Sequence, residues 1–347
     1  MKRTTAKSQS AQDANRVVGY LQHHFVEQLD ELSKVFGSSQ HFEAVSWGRD
    51  EGRHGGGVRY VARDESLFNR ASVNVSQVHY DDDASKKLGS ATAISTIIHP
   101  LHPKVPSIHM HISWTEMKKG GGYWRLMADL NPAIEDEEAL TRFTVALKKA
   151  AGKHYEEGSA QGDRYFNIPA LGRHRGVSHF YLENFNSGDA EADLAYAKAF
   201  GETMIDVYCA IVFELLENVV TPSEADYEVQ LAYHTLYLFQ VLTLDRGTTS
   251  GLLVHNQNDI GILGSIPRHV SKLLLASWKP LVQSPQEKLV DALLGALGEG
   301  DRVLVDDVVK QGLANAVREH YKRYREALAL QASGSIVPST VENHTSA

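Results

Sequence analysis

Residues 95–116 read Ser-Thr-Ile-Ile-His-Pro-Leu-His-Pro-Lys-Val-Pro-Ser-Ile-His-Met-His-Ile-Ser-Trp-Thr-Glu, and this stretch decides how the chain folds. Pro100, Pro103 and Pro106 each fix φ and remove a backbone donor. The segment therefore cannot be helical and reads as a stiff connection between strands. Beyond Pro106 the pattern alternates, with Ile108, Met110 and Ile112 on one face and His109, His111 and Ser113 on the other. A period of two belongs to a strand with one apolar and one polar side. His99, His102, His109 and His111 crowd into this one segment, so the polar side reads as the wall of a site.

The same reading extends outward. Runs rich in Val, Ile, Tyr and Trp at 41–48, 57–63, 71–79, 91–99, 107–116 and 122–130 are expected strands. Their short connections favour antiparallel pairing, because a parallel crossover needs about a dozen residues. Val17, Leu21, Phe25, Leu29, Leu32 and Phe36 recur at helical spacing and predict a helix over 11–36, stopped by Gly37. Helical patterns return at 136–157, 189–217 and 222–232, with a strand expected at 176–184. Residues 236–245 and 250–256 read as a hairpin pair, and the remainder to about 330 as helices. Runs of strands flanked by runs of helices predict an α+β fold, one large antiparallel sheet covered by helices, in a single domain over 15–330. Residues 1–14 and 331–347 are polar and are expected to be disordered tails.

With 347 residues, 42% apolar and 22% charged, the composition is that of a globular protein with a sizeable core. No run reaches the roughly 18–20 apolar residues of a membrane span, and a cytoplasmic location is the expectation. A formal charge of −8 argues against a general nucleic-acid surface. Cys209 is the single cysteine, which excludes an internal disulfide, and in an apolar helical run it reads as a core residue. Gly55-Gly56-Gly57 lacks the Lys-Ser/Thr of a phosphate loop, and no dinucleotide fingerprint is present.

Five blocks in colinear order resemble the oxygen-dependent coproporphyrinogen III oxidase family. They are Trp47-Gly-Arg49 with Gly55-Gly-Gly57 and Ala71-Ser-Val-Asn74-Val-Ser76-Gln-Val-His79; the segment 95–116; Asp129-Leu-Asn-Pro132; Tyr165-Phe166 through Arg175-Gly176; and Leu244-Asp245-Arg246-Gly247-Thr248-Thr-Ser-Gly251-Leu252. The resemblance implies a homodimer built on a seven-stranded antiparallel sheet between two layers of helices, with much of the interface around 237–278. It implies that O₂ oxidatively decarboxylates two propionates of coproporphyrinogen III to vinyl groups, giving protoporphyrinogen IX. No flavin, haem or nicotinamide is implied, and a divalent metal is left open.

Residue by residue, Asp129 matches an aspartate that accepts the pyrrole N–H groups or takes a proton. His109 matches a proton donor, work for which a near-neutral pKa is suited. Arg175 matches an arginine able to clamp a propionate through its planar guanidinium. Ser95 and Arg246 match substrate contacts, Arg246 with an ion pair to Asp245 as the structural reading. His99 and His109 match metal positions. The chain also departs from the family pattern. Ser113 stands where an arginine is expected and His111 where an asparagine is. His255-Asn256-Gln257 replaces a Gly-Gly-Arg triplet. These residues fall in the substrate-binding set, so that set has two fewer cations than the pattern. Two rival readings follow, a metal-dependent enzyme using the histidine cluster, and a non-catalytic or altered-substrate relative that binds a tetrapyrrole or another polycarboxylate.

Overall fold

The computed structural model describes residues 2–37, 41–62, 66–255 and 257–332. The first helix, α1 (Gln9–Phe36), starts where the Ser8 side chain accepts from the Ala11 N–H. Six strands follow: β1 (Glu43–Gly48), β2 (Gly55–Val61), β3 (Phe68–His79), β4 (Leu88–Pro100), β5 (Ser107–Met117) and β6 (Gly122–Asn131). After α2 (Glu137–Ala151) and α3 (Tyr155–Phe166), β7 (Ser178–Phe185) closes a seven-stranded sheet. The strands lie in sequence order and every neighbouring pair is antiparallel, as the short connections predicted.

Register sorts the side chains into two faces. Ile94, Ile112, Leu126 and Leu182 align across β4, β5, β6 and β7 and are at most 2% exposed. They form one core with α1, α2 and α4 (Ala190–Glu217), which include Leu21, Phe25, Phe143 and Phe200. One residue along each strand the chemistry changes. A row on the opposite face runs Arg59, Asn74, Ser95, His111, Met127, Tyr181 from β2 to β7. A parallel row runs Trp47, Gly57, Ser76, Ala93, Ser113, Arg125 from β1 to β6.

That second face is partly covered by α5 (Glu224–Thr243), α6 (Arg246–Val254), α7 (Lys272–Trp278), α8 (Gln286–Ala296) and α9 (Asp307–Arg323). These helices share a core with Ile97 of β4. The sheet is thus held between two helical layers. The expected hairpin at 236–256 is corrected to the end of α5 and all of α6. Its residues misled because every residue from Tyr233 to Thr243 is buried. A helix enclosed on all sides shows no amphipathic period, and its aromatic residues then favour a strand reading. Leu236, Leu238, Val241 and Leu242, in and beside the segment that the resemblance places at a dimer interface, lie in this internal core, with Leu244 packed against it.

Two further expectations are corrected. The helix expected over 136–157 divides at Gly152, whose φ of +54° ends α2 before α3 begins. The N-terminal segment expected as tail packs on the sheet: Ala6 is 1% exposed, its N–H donates to Gln77 Oε1 (2.8 Å), and α1 already begins at Gln9. At the other end, the Ala332 N–H donates to the Leu244 carbonyl (3.0 Å), and residues 333–347 lie outside the described residues. Among the described residues no helix is long and apolar enough to cross a membrane.

Candidate active site

A cleft of about 330 Å³ opens on the part of the polar sheet face that the helices leave uncovered. Its floor carries small side chains, Ser72, Asn74, Ser76, Ala91, Ala93 and Ser95, which leave depth above the sheet. Its far wall is His109, His111, Ser113, Arg125 and Tyr181, and its roof comes from Tyr237, Asp245 and α6. The glycine block 55–57 serves this shape. A Cβ at Gly57 would stand 2.7 Å from Trp47 Nε1, so the glycine lets the indole lie against the strand at the cleft edge. Asp245 caps α6 by accepting from the Thr248 N–H (2.6 Å) and from the Tyr165 hydroxyl (2.8 Å). The roof is thereby tied to a second wall residue.

Behind the wall lies a buried charge cluster. The Asp129 carboxylate is fully buried, with Oδ1 3.0 Å from His109 Nδ1 and Oδ2 accepting from Arg175 Nη2 at 3.0 Å. Asn131 Nδ2 donates to the same Oδ2. Arg175 is 1% exposed, lies between the Phe166 and Tyr237 rings, and donates from Nη1 to Gln240 Oε1 at 2.9 Å. Burial alone pushes the Asp129 carboxyl upward, but Arg175, His109 and Asn131 outweigh it and hold the group below the usual carboxylate range. Asp129 is therefore an anion, and His109 Nδ1 lies 3.0 Å from Asp129 Oδ1 and 3.1 Å from Arg175 Nη2, so the ion pair holds the ring through that nitrogen. That leaves Nε2 as the ring nitrogen free for the cleft.

Arg175 reaches this position because Gly176 follows it with φ +81°. A Cβ there would lie 2.7 Å from both the Leu130 carbonyl and Asn131 Oδ1. The turn fits only glycine. Two expectations are corrected here. Arg175 does not line the cleft and is not placed to clamp a propionate, because an ionised Asp129 buried at this depth requires a cation beside it. Asp129 likewise does not line the cleft; His109, 19% exposed, stands between it and the space where a ligand would lie.

His111 is on the wall itself. Its Nδ1 is 2.6 Å from Ser95 Oγ and its Nε2 2.9 Å from Ser113 Oγ. Burial, aided by Arg125 and His109, pulls its pKa down to about 3, so the ring is neutral. Ser95, His111 and Ser113 form one hydrogen-bonded line across the wall. Of the other nominated residues, Arg246 and His255 line the cleft, while Gln257 is exposed and accepts from the Asp50 N–H at 3.2 Å. Asn256 lies outside the described residues. His99 is fully buried under α5, with Nδ1 2.8 Å from Ser107 Oγ and Tyr237 packed edge-on at 4.6 Å. It does not line the cleft, whereas His109 does. Among the described residues no group of three or more His, Cys, Asp or Glu side chains is arranged to hold a metal.

The family model described as coproporphyrinogen III oxidase matches residues 13–296. The chain belongs to this family. It is 32% identical over 248 residues to an oxygen-dependent coproporphyrinogen-III oxidase of Rickettsia bellii, covering 66% of this chain and 84% of the relative. It is 28% identical over 286 residues to the mitochondrial enzyme of that name from Rattus norvegicus, covering 75% of this chain and 62% of the rat protein. The human counterpart matches at 27%, with 60% of its length covered. The chain thus spans about three fifths of the length of the mammalian relatives it matches.

Within this coproporphyrinogen oxidase fold, several lining residues were not singled out from the sequence. Tyr181 and Glu183 follow His179 at alternate positions of β7, so strand parity alone assigns them to the cleft side. Tyr181 donates to Glu183 Oε1 (3.1 Å), and Arg125 donates to Tyr123 and Thr115 at 3.0 and 3.1 Å, with its Nε 3.8 Å from Glu183. Tyr165 was part of a quoted motif without being assigned a role. Among the described residues, the charged side chains lining the cleft are Arg125, Arg246, Glu183 and Asp245, two of each sign.

Proposed function

We propose that this chain is an oxygen-dependent oxidase that decarboxylates propionate side chains of a reduced tetrapyrrole, with coproporphyrinogen III as the first substrate to test. The observation that carries this reading is His109, held on the cleft wall by an anion–cation pair with its second nitrogen free. Converting one propionate to a vinyl group releases CO₂, one proton and two electrons. Reduction of O₂ to peroxide consumes those electrons and two protons, so one proton must be supplied beyond the one the substrate loses. His109 is the group we assign to deliver it at Nε2, and Asp129 keeps its ring in the donor orientation. A floor of serines and alanines gives the macrocycle room to lie against the sheet, and the Ser95–His111–Ser113 line offers it hydroxyl and imidazole contacts. No flavin, haem or nicotinamide enters this scheme. Homodimerisation is part of the proposal, and sedimentation velocity tests it.

The test supplies freshly reduced coproporphyrinogen III and O₂ to metal-free protein and follows protoporphyrin fluorescence after oxidation. Turnover above the uncatalysed rate is expected, and His109→Gln should lower it by at least ~100-fold, the low end of a general acid–base contribution. A folded protein with no turnover overturns the reading.

A second reading is favoured by the charge balance of the cleft. Among the described residues two lining cations stand against two lining carboxylates, so four propionates bring more negative charge than these walls neutralise. The substrate is then a tetrapyrrole with fewer free carboxylates. Binding measured for coproporphyrinogen III and for its partly esterified forms separates the two: tighter binding of the esters supports the second reading.

A further inference from the structure

A second polar cavity, of about 200 Å³, lies beyond the roof turn 259–265 and is lined by Arg59, Asn69, Arg70, Gly264, Asp307 and Lys310 among others. Ile262 and Ser265 of that turn line the main cleft, while Ile260 and Gly264 line this one, so the turn is the partition between them. Arg59 enters from β2, is 8% exposed, and among the described residues its Nε and Nη1 have no hydrogen-bond partner. A Cβ at Gly261 would stand 2.2 Å from Arg59 Nη1, so the missing side chain is what makes room for the guanidinium.

Two more cations face the same space. Arg70 donates to the Ile266 and Val305 carbonyls at 3.3 and 3.0 Å, which fixes its head without neutralising it. Lys310, 6% exposed, lies 3.0 Å from Asp307 Oδ1, whose side chain is 72% exposed and largely solvated. Burial pulls the pKa of Arg59, Arg70 and Lys310 down, and among the described residues Asp307 is the carboxylate that pulls each the other way. Buried cations are normally paired, and a buried guanidinium with unmet donors is costly. Among the described residues, three cations less one carboxylate leave a charge of +2 around a cavity large enough for a small ion. A phosphate group at neutral pH carries about −1.5 to −2 and accepts from several donors at once.

We propose that this cavity is a second ligand site that takes a tetrahedral oxyanion, either inorganic phosphate or the phosphate group of a small metabolite, on Arg59, Arg70 and Lys310. A chloride or a single carboxylate would leave half of the charge unmet, and Asp307 on the rim disfavours anions that cannot approach all three cations. Neither the tetrapyrrole nor O₂ is involved, so the site stands or falls independently of the oxidase reading.

The experiment is thermal unfolding of the full chain in sodium phosphate, compared with sodium chloride at equal ionic strength. A saturable rise in Tm of about 2–4 °C over chloride is expected for an ion bound well above its Kd. Arg59→Met should abolish that rise, and Lys310→Met should shift its midpoint to at least ~10-fold higher phosphate. The lysine variant keeps the test decisive if the arginine variant does not fold. Repeating the titration with glycerol phosphate distinguishes the sources, the lower midpoint identifying a free ion or a phosphomonoester as the better ligand. No rise beyond chloride, or an equal rise in wild type and both variants, overturns the proposal.

Discussion

The two faces of the seven-stranded sheet are built from the same strands, one residue out of step, yet they are held together by different physics. On the helix-covered face Ile94, Ile112, Leu126 and Leu182 pack against α1, α2 and α4, and stability there comes from excluding water. On the cleft face, Asp129 and Arg175 are equally buried, and each is tolerable only because the other is present. Loss of an apolar group leaves a hole, whereas loss of a charged partner leaves an uncompensated charge. The apolar face should therefore degrade in proportion to what is removed, and the cleft face abruptly.

The sharpest way to break this contrast is Arg175→Met, which strands the Asp129 carboxylate. A loss of about 3–5 kcal/mol in urea unfolding is expected, the size of breaking a buried pair. Adding Asp129→Asn should recover part of it. Ile112→Ala on the other face should cost about 2–4 kcal/mol by removing buried methyl groups, with no rescue by any charge change. Next comes pH. His111 is depressed to about 3 in the folded protein, against about 6.5 when unfolded. The unfolded chain therefore takes up the proton first, so stability falls as pH drops below about 6.5 and goes on falling towards about 3. Asp129, also depressed, contributes stability that is fully present above about 4 and is lost at lower pH as its folded carboxyl titrates. Burial depresses His99 and His234 as well, so His111→Asn should make the fall below about pH 6.5 shallower without removing it, which thermal melts between pH 7 and 4 would resolve. The smallest effect expected is Ser113→Ala, about 1 kcal/mol for one lost hydrogen bond to His111, read as a shift in Tm.

Much of the apolar face was legible because period two is visible wherever one side of a strand is dry and the other is not. Ile108, Met110 and Ile112 announced β5 and its polar side together. The same logic failed at 236–256, where α5 is buried all round and carries no period to read. Its end was still marked, since Asp245 three residues before Thr248 is a helix-starting signal. At the site, His109, His111 and Ser113 were legible as wall residues through strand parity, and Ser95 through the family resemblance. The depth of Asp129 and Arg175 was not. Parity assigns a face but not a distance from the surface, and Arg175 is enclosed by α5, whose Gln240 accepts from its guanidinium far along the chain. The neighbourhood of Arg59 was illegible for the same reason, because it assembles β2, the roof turn and α9 from distant parts of the sequence.

The strict alternation of β5 also restricts how this chain can change over time. Inserting or deleting one residue between Ser107 and Met117 would exchange the two faces, driving His109 and His111 into the apolar core and Met110 and Ile112 into the cleft. Substitution carries no such penalty, so a serine can occupy position 113 without disturbing a neighbour's register. Variants of this strand should accordingly differ freely in spelling while keeping their length. A library of single-residue insertions across 107–117 should yield almost no folded members, where a substitution library at 113 yields many.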